Sequence, residues 1–129
     1  MSGLTAIVCD DDAETRKSVC TLVTACGFQV VAELDLAVSA VPAAELVGPT
    51  LVLLNLSSPG VASLRAIPLL REAAPGCEVV VCSSSDAVRP AALGAGASDV
   101  VDKGDDYGLE QVLRNIADRR TAASKAATP

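Results

Sequence analysis

Histidine and tryptophan are absent from these 129 residues, and phenylalanine and tyrosine occur once each. Without histidine, an ordinary zinc site and any Ser-His or Cys-His nucleophile pair are excluded. Aromatics at 2 % leave little to stack on bases, so the core must be aliphatic and alanine-rich. Positive charge is also short: ten Lys and Arg face sixteen Asp and Glu, a net charge of -6. That balance argues against direct nucleic-acid binding, which needs a basic face to replace condensed counterions. No apolar run is long enough to span a bilayer, and Met1-Ser2-Gly3 leads at once into a short apolar run ending in three acids, unlike a secretory leader. A cytoplasmic protein without membrane contact is expected. Five cysteines, an odd number, lie at Cys9, Cys20, Cys26, Cys77 and Cys82 with no C-x-x-C pair. They read as buried small hydrophobes in a reducing compartment.

What the chain does contain is apolar periodicity: half of the residues are hydrophobic, enough for one domain with a single core. The organising stretch is Leu51-Val52-Leu53-Leu54-Asn55, followed by the breaker cluster Ser57-Ser58-Pro59-Gly60. Four apolar residues, one polar residue and a turn describe a fully buried strand that ends at a sheet edge. Strand-length apolar runs also cover 4–9, 28–33 and 78–82, with a brief fifth around Val100-Val101. Between them, Val19, Leu22, Val23 and Cys26 repeat at helical spacing, as do Leu109, Val112, Leu113 and Ile116. Residues 35–47 and 61–74 read as further helices, with Pro42 in a first turn and Pro68 forcing a kink or a delayed start. A short helix over 87–95 is expected to be weak because it contains Pro90. Arg119-Arg120 are expected at the negative end of the last helix, and 121–129 reads as a flexible tail after a domain of residues 1–120.

Strands alternating with helices imply a parallel sheet covered on both faces, because parallel strands need crossover helices. With strand order 2-1-3-4-5 the first and third strands adjoin at the switch point, where ligands bind at the carboxyl edge. That edge would gather Asp10, Asp11 and Asp12, then Asn55, Ser83 and Lys103. Clustered carboxylates repel unless a cation joins them, so either Mg²⁺ or the ammonium of Lys103 is called for. A hydroxyl at Ser83 and the charge of Lys103 suit phosphoryl oxygens.

In this order and spacing, from residue 4 to about 119, the chain resembles the receiver domain of bacterial two-component response regulators. The resemblance implies a doubly wound, five-stranded, flavodoxin-like or CheY-like three-layer sandwich. It places the acidic pair on Asp10 and Asp11, a metal-ligating backbone carbonyl on Ser57, the Pro-Gly on Pro59-Gly60, the hydroxyl on Ser83 and the pocket cation on Lys103. Gly96-Ala97 precede that lysine as in the family. Two departures stand out. The phosphoacceptor aspartate falls on Asn55, whose amide oxygen is a poor nucleophile for forming an acyl phosphate. The aromatic switch residue falls on Val100, and the adjoining fourth helix is short.

The resemblance therefore implies an atypical, stand-alone receiver-like module of a phosphorelay-type system. It would be a pseudo-receiver, not an enzyme, unable to take phosphate at Asn55 and acting by phosphorylation-independent contact with other proteins. Partners would be a histidine kinase, a downstream effector, or a second copy through the helix 4, strand 5 and helix 5 face. Mg²⁺ is the one cofactor implied, and only weakly. Without the Asn55 charge, Lys103 would pair with Asp10 or Asp11. Two alternatives stand beside this one. Asn55 could be a change that traps an ordinary receiver, or Asp10 and Asp12, with Gly104-Asp105-Asp106, could belong to a haloacid-dehalogenase-like phosphatase. The spacing argues against the phosphatase, because Lys103 abuts the second motif and no cap domain fits.

Overall fold

A computed structural model describes residues 3–55 and 61–127. Five parallel strands, β1 (Thr5–Asp10), β2 (Gln29–Leu34), β3 (Leu51–Asn55), β4 (Glu78–Ser83) and β5 (Asp99–Asp102), form one sheet in the order β2-β1-β3-β4-β5. The helices are α1 (Ala13–Ala25), α2 (Ala40–Val47), α3 (Val61–Ala73), α4 (Val88–Ala95) and α5 (Asp106–Ala127), with a 3-10 turn at Ala37–Ser39 leading into α2. This is the α/β doubly wound architecture that the alternating pattern implied.

Why the central strands are continuous apolar runs follows from where their side chains go. Ile7, Val52, Leu54, Val79 and Val81 point to a layer built with Ala40 and Ala44 of α2, Ile67 and Leu70 of α3, and Val88 and Ala92 of α4. Their neighbours Ala6, Val8, Leu51, Leu53 and Val80 point the other way, to Val23 of α1 and to Leu109, Leu113 and Ile116 of α5. Both faces are dry, so every residue of β3 is buried. Each fully buried Val or Leu contributes roughly 1.5–3 kcal/mol by leaving water.

At the edge, β2 departs from simple alternation. The register steps from Ala6↔Val30 to Ile7↔Ala32, so Val31 is an extra residue, bulged out and exposed. The bulge keeps Val30 on the α1 and α5 side while turning Ala32 and Leu34 to the α2 and α3 side.

The prolines behave differently from one another. Pro42 is the third residue of α2 and Pro90 the third of α4, positions whose N–H would have no partner within the helix anyway. The expectation that Pro90 weakens α4 is thus corrected, because it falls in a first turn and not in the interior. Pro68 does lie inside α3, which nonetheless spans its 13 residues without interruption. Gly96 ends α4 at φ 117°, and a Cβ there would come within 3.2 Å of Arg71 Cγ. Only glycine takes that backbone conformation against that neighbour without strain.

The last helix also corrects the reading of the chain's end. α5 continues to Ala127, through most of the segment expected as a flexible tail, because Ala and other tolerated residues keep helix propensity high there. Arg119 and Arg120 consequently do not sit at a helix terminus. They grip Glu78 at the start of β4, with Arg120 Nη2 3.1 Å and Arg119 Nη1 3.8 Å from Glu78 Oε2. Arg120 also donates to the Gly76 carbonyl. Among the described residues no helix is long and apolar enough to cross a membrane.

Candidate functional site at the carboxyl edge

The site is built where β1 and β3 end side by side. Asp10 and Asn55 are register partners across that pair, so their side chains emerge together at the switch point. Both are buried, 1 % and 4 % exposed, and with Ser83 at 2 % they are the buried polar residues of the described chain. A buried carboxylate must be hydrogen-bonded, and Asp10 is. Its Oδ1 accepts the Asp12 N–H at 2.9 Å, and its Oδ2 accepts the Asn55 amide Nδ2 at 2.6 Å. The second is a short, charge-assisted bond in a low-dielectric setting. Among the described residues it leaves Asn55 Oδ1 as a buried acceptor with no hydrogen-bond partner.

That arrangement bears on one half of the ion pair expected between Lys103 and Asp10 or Asp11. Among the described residues no salt bridge joins Lys103 to Asp10, whose Oδ2 is held by the Asn55 amide. Lys103 is half-buried in the turn after β5, and its N–H donates to the Ser83 carbonyl at 3.0 Å. Its charge is felt at Asp12. The Asp12 carboxyl lies below the usual range, first because the Thr15 hydroxyl donates to Oδ2 at 2.5 Å, and to a smaller degree because Lys103 is near. Asp12 is also the residue preceding α1, as a capping role requires.

Ser83 lies at the end of β4, with its Oγ accepting the Ser85 N–H at 3.1 Å. Asp11 follows β1 and is exposed. Val100 is buried in the α2 to α4 layer among Val88, Ala92 and Ala97, where an aliphatic side chain simply completes the packing. Ser57, with Pro59 and Gly60, lies outside the described residues. Asp105 of the Gly104-Asp105-Asp106 motif has a structural task, its Oδ1 accepting the Gly108 N–H at 2.9 Å in the first turn of α5. A Cβ on Gly108 would collide with that carboxylate.

Two contributors escaped the sequence. Arg16 Nη1 donates to the Asp10 carbonyl at 2.7 Å, while its Nε lies 3.8 Å from Glu33, so the first turn of α1 braces the end of β1 from the β2 side. The only signal for it was a cation one helical turn beyond the Asp12 cap. The second is a pocket of about 540 Å³ between α1 and α5. Asn55 and Cys82 reach it from the strand ends, and Val19, Leu22 and Leu109 form its apolar wall. By spacing alone these last residues belong to the core stripe.

Does the site suit Mg²⁺? Its donors are oxygens, the right kind for a hard cation. Among the described residues, however, no group of three His, Cys, Asp or Glu side chains could hold a metal ion, and both Asp10 oxygens are engaged. The unpartnered Asn55 Oδ1 is the one feature that favours a cation. All five cysteines are free, and burial raises every thiol, Cys9 and Cys82 to about 12 and Cys20 to about 11. Each is therefore held as the thiol, not the nucleophilic thiolate, at neutral pH.

A parallel sheet in this order, with buried Asp10 beside position 55 and Ser83 and Lys103 on the flanking strand ends, defines a receiver-type signalling module. The chain belongs to the response regulator receiver domain family, which it matches over residues 6–114. Among solved structures it resembles a CheY-like receiver domain protein from Methanospirillum hungatei, at 18 % identity and TM-score 0.80 over 95 % of this chain and 99 % of that one. A two-component response regulator of the LuxR family from an Aurantimonas species is 26 % identical, with TM-score 0.79 over 90 % and 86 % of the two chains. A pilus assembly-related protein from Burkholderia pseudomallei is 20 % identical, with TM-score 0.76 over 89 % and 90 %. No curated protein matches the chain.

Proposed function

We propose that this receiver takes no phosphoryl group at position 55 and signals by phosphorylation-independent binding to other proteins. The observation that carries the reading is the 2.6 Å bond from Asn55 Nδ2 to Asp10 Oδ2. In phosphoryl acceptance an ionised carboxylate oxygen attacks phosphorus and the acyl phosphate is neutralised by nearby cations. Here the attacking atom would be an uncharged amide oxygen, and the neighbouring nitrogen is already bound to the carboxylate that would hold the metal. Asp10, Asp11 and Asn55 Oδ1 could together retain Mg²⁺ only weakly, with one negative charge fewer than a three-carboxylate site. The module is not an enzyme in this reading, since no described residue offers an activated nucleophile.

Partners are proteins, a kinase or an effector, or a second copy through α4, β5 and α5, where Leu93 and Tyr107 are exposed. The acidic balance speaks against nucleic acid, and five free thiols suit a reducing cytoplasm.

The test is incubation with acetyl phosphate and Mg²⁺, followed by intact-mass measurement. The native chain should gain no acid-labile phosphoryl mass, whereas Asn55→Asp should gain one, and lose it again when Asp10→Ala is added. A Mg²⁺-dependent adduct on the native chain, abolished by Asp10→Ala, would overturn the proposal.

A further inference from the structure

We infer that the outward face of α2, with the turn leading into it, is a docking surface for a cationic amphipathic segment of another protein. The inference goes beyond the reading of Asn55 and does not use that residue. α2 runs from the carboxyl edge of the sheet back to the amino edge, so its last turn lies at the end away from Asn55.

The first observation is that α2 is packed the wrong way round for a helix that only covers a sheet. It reads Ala-Val-Pro-Ala-Ala-Glu-Leu-Val, and the residues it buries are the small Ala40 and Ala44. Leu46 is 85 % exposed, and Val47 beside it is exposed as well. A covering helix turns its large apolar side chains inward, as α5 does with Leu109, Leu113 and Ile116, and leaves residues such as Gln111 and Arg114 outside. Upstream, Leu36 and Val38 are exposed on the run into α2, and Val31 on the edge strand β2. Five of the eight large hydrophobic side chains exposed among the described residues thus fall within 31–47. Scattered singly they would need no explanation, but gathered in one segment they mark an interaction surface.

The second observation selects the occupant. Residues 18–64 contain no Lys or Arg, while Glu33, Asp35 and Glu45 are all exposed there. Arg16 reaches Glu33 from α1, but among the described residues neither Asp35 nor Glu45 makes an ion pair. The neighbouring α3 adds exposed Arg65 and Glu72, one charge of each sign. An apolar face set among unneutralised carboxylates is complementary to a helix with leucine-like side chains on one side and Lys or Arg along its flanks. A second copy fits poorly, because a two-fold pairing of this face would bring each carboxylate toward its own equivalent without a cation from the segment. An anionic bilayer is repelled by the same charges.

The experiment is an amide NMR titration of the purified native chain with a peptide of Leu and Lys, roughly four turns long, whose leucines share one helical face. The same peptide with Glu in place of Lys, and a shuffled Leu/Lys peptide without an apolar face, run in parallel. The amphipathic cationic peptide should shift residues 42–48 and bind at least about tenfold more tightly than either control. Leu46→Glu should weaken it about tenfold, and Asp35→Lys with Glu45→Lys should do the same while making the Glu peptide the tighter ligand. Leu93→Gln on α4 should leave the affinity unchanged. All these positions are exposed, and circular dichroism checks the fold; if Leu46→Glu fails to fold, the double charge reversal decides. Shifts centred on α4, β5 and α5, equal binding of the shuffled peptide, or indifference to both α2 variants would overturn the inference. So would a dimer of the native chain, or its binding to phosphatidylglycerol vesicles, that Leu46→Glu abolishes.

Discussion

At the scale of single residues, one amide decides the chemistry of the site. Replacing Asn55 by Asp would set two ionised carboxylates where a 2.6 Å hydrogen bond now stands. The repulsion should lower the melting temperature of Asn55→Asp in a chelating buffer, and millimolar Mg²⁺ should restore much of the loss while leaving the native chain almost unmoved. Differential scanning fluorimetry with and without Mg²⁺ checks both halves. Thiol behaviour is a second residue-level expectation. Burial holds Cys9 and Cys82 near 12, so both should resist iodoacetamide at pH 8 over hours in the native state and react at once in guanidinium. Because folding raises these thiols, they add stability that is intact below their unfolded pKa and is lost as pH climbs toward the folded value. Mass spectrometry after timed quenching reads the reactivity.

Among the elements, the strands were legible and the helix details less so. Every strand lies within one residue of the run read from the sequence, since a buried parallel strand needs an unbroken apolar stretch and Asp10, Asn55 and Ser83 each mark where one stops. The position of a proline within its helix was not legible, because a missing N–H matters only once the first turn is known. Pro90 illustrates this, and Pro90→Ala should change stability little. Gly96→Ala should instead cost about 1–3 kcal/mol, since φ 117° and the Arg71 side chain both oppose a Cβ. Urea denaturation distinguishes the two. The extent of α5 escaped for a related reason: an alanine-rich stretch without an apolar stripe reads equally as tail or as helix. For the site, strand ends predicted which residues would meet, but not their pairing. Which donor reaches Asp10 depends on side-chain distance, and Asn55 on the adjoining strand is the one within 2.6 Å.

For the molecule as a whole, the sheet is held at two ends by different means. At the carboxyl edge Arg16 and Asn55 secure β1, and at the opposite edge Arg119 and Arg120 tie α5 to Glu78. Burial works against the Glu78 charge, but hydrogen bonds from Ser98 and Arg120 and the field of Arg119 win, leaving its carboxyl below its ordinary value. A carboxyl depressed by folding adds stability above its unfolded pKa and surrenders it as pH falls through the folded one. Acid unfolding of Glu78→Gln should thus be less steep than that of the native chain below about pH 4.5, the ordinary glutamate range. Circular dichroism across that range provides the comparison.

The displaced Val31 has a consequence for how copies of this chain can meet. A continuous ladder of unpaired amides invites another backbone to dock alongside, but β2 is interrupted in mid-course and β5 offers only four residues at the opposite border. Both margins are therefore poor templates for an extended neighbour, which disfavours growth of the sheet from molecule to molecule.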